Sequence, residues 1–87
     1  MAKKGKELEG VAEMMDAIVE DTSVPKNIRA AVGEAKEKVL RDEGGVGITS
    51  ALYVLDDISN DINMPTHTRT EIWNIISELE AIREKNK

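Results

Sequence analysis

Apolar residues recur at helical spacing in four separate stretches of the chain. In the first, Leu8, Val11, Met15 and Ile18 stand three or four positions apart, with Met14 and Val19 beside them. That spacing predicts a helix over residues 7–20. The second stretch carries Ile28, Ala31, Val32, Ala35 and Val39 and predicts a helix from Pro25 to Arg41. Its stripe is thin and alanine-rich, so a neighbour can approach closely. Its other face holds Glu34, Lys36, Glu37, Lys38 and Arg41, and the acid-first spacings Glu34–Lys38 and Glu37–Arg41 favour a helix. The third stripe is Ile48, Ala51, Leu52, Leu55 and Ile58, with Val54 added, and predicts residues 48–59. The fourth, Ile72, Ile75, Ile76, Leu79 and Ile82, predicts a helix from Pro65 to Lys85.

The links between these helices are informative. Sliding Met14–Arg41 onto Val54–Ala81 aligns Asp16 with Asp56, Ile18 with Ile58, Asp21 with Asp61, Pro25 with Pro65 and Arg29 with Arg69. Apolar residues agree between them, as at Met15/Leu55, Val24/Met64 and Val32/Ile72. Each proline fixes its own φ near the helical value, lacks an N–H, and drives the residue before it into an extended conformation. The chain is therefore expected to break before Pro25 and Pro65 and to restart as helix there. Asp21, Ser23, Asp61 and Asn63 are placed to accept hydrogen bonds from the unpaired amides. Glu43-Gly44-Gly45-Val46-Gly47 has no counterpart in the repeat and reads as a linker. It lacks the Gly-Lys-Ser/Thr ending of a phosphate loop.

The expected fold is all-α: four helices as two homologous helical hairpins. They form either a four-helix bundle or a HEAT-like pair. A period near 40 with two helices per unit suits HEAT or armadillo-type repeats. Two units are fewer than an open stack needs to bury its ends, which favours the closed bundle. Residues 1–6 are expected as a flexible tail. Residues 7–87 form a single helical domain, with one hairpin over 7–42, the linker over 43–47 and the other hairpin over 48–86.

Composition narrows the function. With 87 residues the chain holds one domain with a small core. The absence of Cys excludes disulfides and thiolate metal sites. No apolar run approaches the roughly 20 residues that cross a bilayer. The charged start Met1-Ala2-Lys3-Lys4-Gly5-Lys6 has no apolar segment after it and does not read as a signal peptide. A net charge of −5 argues against a nucleic-acid duplex as partner, and Lys3, Lys4 and Lys6 are too few to reverse that. With no Phe, one Trp and one Tyr, stacking on single strands is not expected either. The expectation is a cytoplasmic protein with no membrane or nucleic-acid partner.

Val24-Pro25-Lys26-Asn27-Ile28-Arg29, Leu55-Asp56-Asp57-Ile58-Ser59-Asn60-Asp61, Met64-Pro65, Thr68-Arg69 and Ile72-Trp73-Asn74-Ile75-Ile76-Ser77-Glu78-Leu79-Glu80 carry a resemblance. Together they resemble the small archaeal uncharacterised protein family 0147, over about residues 10–82. The second hairpin holds the specific part; the first is looser. The resemblance implies an all-helical cytosolic protein of archaeal origin. It implies no activity and no catalytic residues.

The repeated acids and arginines suggest a structural pair at each elbow. Arg29 is expected to reach Asp16 or Asp21, and Arg69 to reach Asp56 or Asp61. Asp56, Asp57, Asp61 and His67, with Asn60, supply oxygen and imidazole donors for a hard cation. However, neither a calcium-loop nor a zinc-protease pattern is present. Ser50, Ser59 and Ser77 have no base placed to activate them apart from His67, and no nucleophile elbow exists. The chain is therefore read as no enzyme and as needing no cofactor. Trp73 stands where the first hairpin has Gly33. It is expected at the core or its edge, plugging a small-residue surface, or else at a contact with another molecule. Trp73, Ile76 and Ile82 are the candidate interaction residues. The expected role is a non-catalytic protein–protein interaction module, with an unknown protein partner or a second copy as homodimer. The alternative is a metal- or ligand-binding accessory protein using the acids near residues 56–67.

Overall fold

A computed structural model describes residues 2–41 and 45–85, with side chains from residue 7 onward. Four helices account for nearly all of it: α1 (Ala2–Val19), α2 (Lys26–Leu40), α3 (Val46–Ile58) and α4 (Thr66–Lys85). The apolar stripes go where their spacing sends them. Met15, Ile18, Ile28, Val32, Val39, Ile48, Leu55, Ile72, Ile75 and Leu79 are buried together in one core. That core is aliphatic, with methionine and alanine filling the gaps; Met14, Leu52, Val54, Ile58 and Ile76 pack around its edge.

Consecutive helices pack against each other, and α1 also packs against α4. The α1–α3 and α2–α4 pairs lie diagonally across the core. This is a closed up-down-up-down bundle. In a HEAT-like stack, like helices of successive hairpins would pack side by side, which is the arrangement these diagonals exclude. The protein measures 36 × 20 × 17 Å, the longest axis along the helices.

The helix starts differ from the sequence reading, α4, like α2, beginning one residue after its proline, at Thr66. α1 begins at Ala2, inside the stretch expected as a tail, because Ala, Lys and Glu are good helix formers. α2 begins at Lys26, one residue after the proline. Pro25, at φ −53° and ψ 145°, is the last extended residue, and its carbonyl accepts the Ile28 and Arg29 amides at 3.1 and 3.0 Å. α3 begins at Val46, two residues earlier than expected. Gly45 sits before it at φ 86°, and its carbonyl takes the Thr49 amide at 3.1 Å. That left-handed backbone is what glycine supplies at little steric cost. Glu43 and Gly44 of the expected linker lie outside the described residues.

Candidate functional site

The two elbows lie at the same end of the bundle and copy one another. Asp21 N–H donates to Ile18 O at 3.1 Å, and Asp61 N–H to Ile58 O at 3.0 Å. Val24 N–H donates to Asp21 O at 3.1 Å, and Met64 N–H to Asp61 O at 3.2 Å. Val24 and Met64 are buried, so each elbow drives one apolar side chain into the core end. The aspartates do not cap the following helices. Asp21 Oδ1 accepts the Ser23 amide at 3.0 Å and the Ser23 hydroxyl at 2.6 Å, while Asp61 Oδ1 accepts the Asn63 amide at 2.8 Å. Each is a local turn in which a side chain stands in for backbone.

The arginines fix the elbows by a different route from the expected one. Arg29 Nε donates to Val24 O at 3.0 Å. Arg69 donates through Nη1 to Ser59 O and through Nη2 to Asp61 O at 3.1 Å. Among the described residues neither forms an ion pair with Asp16, Asp21, Asp56 or Asp61. Ser59, at the end of α3, has a carbonyl without an intrahelical partner, and Val24 O and Asp61 O lie in the elbows, so each partly buried guanidinium pins elbow backbone directly.

Across the elbows the polar groups exchange partners. Asn27 Nδ2 donates to Asp61 Oδ2 at 3.1 Å, and His67 Nε2 lies 3.3 Å from Asp21 Oδ2. Positions 27 and 67 match under the repeat, as do 21 and 61, so the two contacts are related by the same pseudo-symmetry. The Ser23 hydroxyl, the Ser23 amide and then His67 hold the Asp21 carboxyl below the usual carboxylate value. The candidate cation cluster is thereby taken apart. His67 turns to the first elbow, Asp61 is engaged by Asn27 and Asn63, and Asp56 and Asp57 stand exposed on α3. Among the described residues no three His, Asp or Glu side chains converge to hold a metal.

The chain's Trp and Tyr are both on the surface of the second hairpin. Trp73 is 57% exposed and Tyr53 74%. Trp73 therefore does not plug the core. It projects from the flank of α4, about 100° or more around the helix from the Ile72–Ile75–Leu79 stripe's outer edge toward solvent. Between α3 and α4 runs an open groove of about 220 Å³, lined by Thr49, Leu52, Tyr53 and Asp56 from α3 and Ile76, Glu80 and Arg83 from α4. Ile76 is half-buried at its floor. Ile82, by contrast, is 2% exposed and belongs to the core, because it continues the Leu79 face one turn on. It is not available to a partner. A wider depression of about 400 Å³ between α2 and α3 is lined by Glu34, Glu37, Lys38 and Arg41. Those four pair with one another along α2, Lys38–Glu34 at 3.8 Å and Arg41–Glu37 at 3.9 Å.

Sequence reasoning missed Tyr53 and Leu52. A signal was present: under the 40-residue shift, Ala12, Glu13, Gly33 and Lys36 of the first hairpin become Leu52, Tyr53, Trp73 and Ile76. Small or charged residues are replaced by large apolar ones at four matched positions.

Comparison with known proteins agrees with this architecture. The profile of the Uncharacterised protein family (UPF0147) matches residues 1–82. A UPF0147 protein of Methanocaldococcus jannaschii is 56% identical over 78 residues, covering 87% of this chain and 84% of the relative. One from Archaeoglobus fulgidus is 51% identical over 83 residues, covering 94% and 93%. The crystal structure of a UPF0147 protein from Thermoplasma acidophilum superposes with a TM-score of 0.82 at 34% identity, covering 92% of this chain and 98% of that one. With its two matched elbows and its archaeal relatives, this four-helix chain belongs to the uncharacterised protein family UPF0147.

Proposed function

We propose that the protein is a non-catalytic interaction module that binds another protein through the α3–α4 face of its second hairpin. One observation supports this reading. The first hairpin acts as an internal reference for the second. At matched surface positions it carries Glu13, Gly33 and Lys36, where the second carries Tyr53, Trp73 and Ile76. The bundle does not require large apolar groups there, since the first hairpin closes without them. Exposed aromatics are enriched at protein interfaces, and Tyr53 lines a groove that also presents Leu52 and Ile76. The groove's 220 Å³ is below the usual range of about 300–1,000 Å³ for small-molecule pockets, yet suits side chains of a docking partner. The metal-binding alternative gains no such support.

An affinity pull-down from the native host, compared by quantitative proteomics with a Trp73→Ala protein, tests the reading. Selective loss of one partner with the variant is expected. Equal recovery of every protein by both would remove this face as the binding surface.

A further inference from the structure

Asp16 and Asp56 occupy the same place in the two hairpins, and their surroundings differ in one respect. In the first hairpin, Lys36 of α2 reaches across the α1–α2 valley and pairs with Asp16 at 2.5 Å. In the second, the position of Lys36 is taken by Ile76. Asp56 therefore faces the matching valley without its cation. Among the described residues no ion pair joins it to Arg83, which lines the same groove.

Negative charge predominates around it, with Arg83 the one Lys or Arg lining the groove. Residues 46–85 contain seven carboxylates against Arg69, Arg83 and Lys85. Arg69 is committed to the elbow carbonyls and Lys85 lies 3.2 Å from Glu7. Asp56, Glu80 and Arg83 thus line the groove together with Leu52, Tyr53 and Ile76, and Trp73 is exposed elsewhere on α4.

Resting on the reading that this face binds a protein, we propose that its occupant is a basic amphipathic helix. Apolar side chains of that helix lie along Leu52, Tyr53, Ile76 and Trp73. A Lys or Arg of the helix meets Asp56, supplying the cation that Lys36 supplies to Asp16. Thr49, Leu52, Tyr53 and Asp56 span two turns of α3, roughly 10 Å, a length alongside which about two turns of a helix can lie. The net charge of −5 disfavours a second copy of this chain and favours a basic partner by steering and complementarity.

The test replaces Tyr53 by the photo-crosslinking residue p-benzoylphenylalanine in the full chain. The protein is irradiated in extract of the native host, and the joined peptides are sequenced by mass spectrometry. The expected adduct is a segment with a helical apolar stripe and net positive charge. Asp56→Lys and, separately, Ile76→Lys should lower its yield about tenfold or more, while Asp56→Glu keeps it. Ile76→Lys rebuilds the pair that the first hairpin already accommodates, and Asp56 is exposed, so circular dichroism should show all three folded. An adduct on a neutral or acidic segment, on a second copy of the chain, or one that survives Asp56→Lys overturns the basic-helix inference alone. The absence of any adduct, together with Trp73→Ala having no effect in the pull-down, overturns the binding reading as well.

Discussion

His67 Nε2 lies 3.3 Å from Asp21 Oδ2, joining the two elbows through residues 46 positions apart in the chain. Its counterpart under the internal repeat is Asn27 donating to Asp61 at 3.1 Å. The pair of contacts ties the start of α4 to the end of α1 and the start of α2 to the end of α3. It is a polar clasp over the end where Val24 and Met64 enter the core.

The clasp makes stability depend on pH in a definite direction. Asp21 is held below its usual carboxylate value of 3.8 in the folded protein, chiefly by Ser23 and then by His67. The unfolded chain therefore binds the proton first as pH falls, and folding stability drops with it. Asp21's contribution is whole above 3.8 and is lost as pH falls below it, through the folded value. Urea midpoints of the native protein and Asp21→Asn should differ at pH 7 and converge as pH falls through the lowered folded value.

Arg69→Ala should cost about 1.5–3 kcal/mol in urea unfolding, because a charged, partly buried donor serves two elbow carbonyls. Arg69→Lys should recover only part of this, since a single ammonium cannot reproduce the fork. Arg29→Ala, which removes one described bond, should cost about half as much.

Thr68 is fully buried, and its hydroxyl has no hydrogen-bond partner among the described residues. It stands at the place of Ile28 in the repeat. Thr68→Val keeps the shape and removes the stranded polar group. A gain of about 1 kcal/mol is expected, seen as a rise in Tm of about 4–8 °C.

Three glycines should separate by backbone geometry. A Cβ at Gly10 meets nothing within 4 Å, and one at Gly33 meets only Val19 Cγ2 at 3.9 Å. Gly10→Ala and Gly33→Ala should each stabilise the protein by about 0.5–1 kcal/mol in thermal unfolding. Gly45→Ala should destabilise it by about 1–2 kcal/mol, because φ at 86° is strained for any residue with a Cβ.

Trp73→Ala should change stability by less than about 1 kcal/mol, against the 3–5 kcal/mol of a buried ring. Because Trp73 is the chain's one Trp, its fluorescence reports this face alone. The free protein should emit at long wavelength and be readily quenched by acrylamide.

The four helices, the aliphatic core and the duplicated proline elbows are all legible in the order of residues alone. These rest on spacing within a few residues: Leu8–Val11–Met15–Ile18 must share a face, and Pro25 and Pro65 must interrupt a helix wherever the chain later goes. The partners of Arg29, Arg69 and His67, and the exposure of Trp73 and Tyr53, follow instead from how the helices pack. The acceptors for the arginines are backbone carbonyls, which no side-chain alphabet records. The Asp21–His67 contact exists because α4 closes the ring against α1. The rotation of α3 and α4 about their own axes then set which flank faces water, leaving Trp73 outside and Ile82 within.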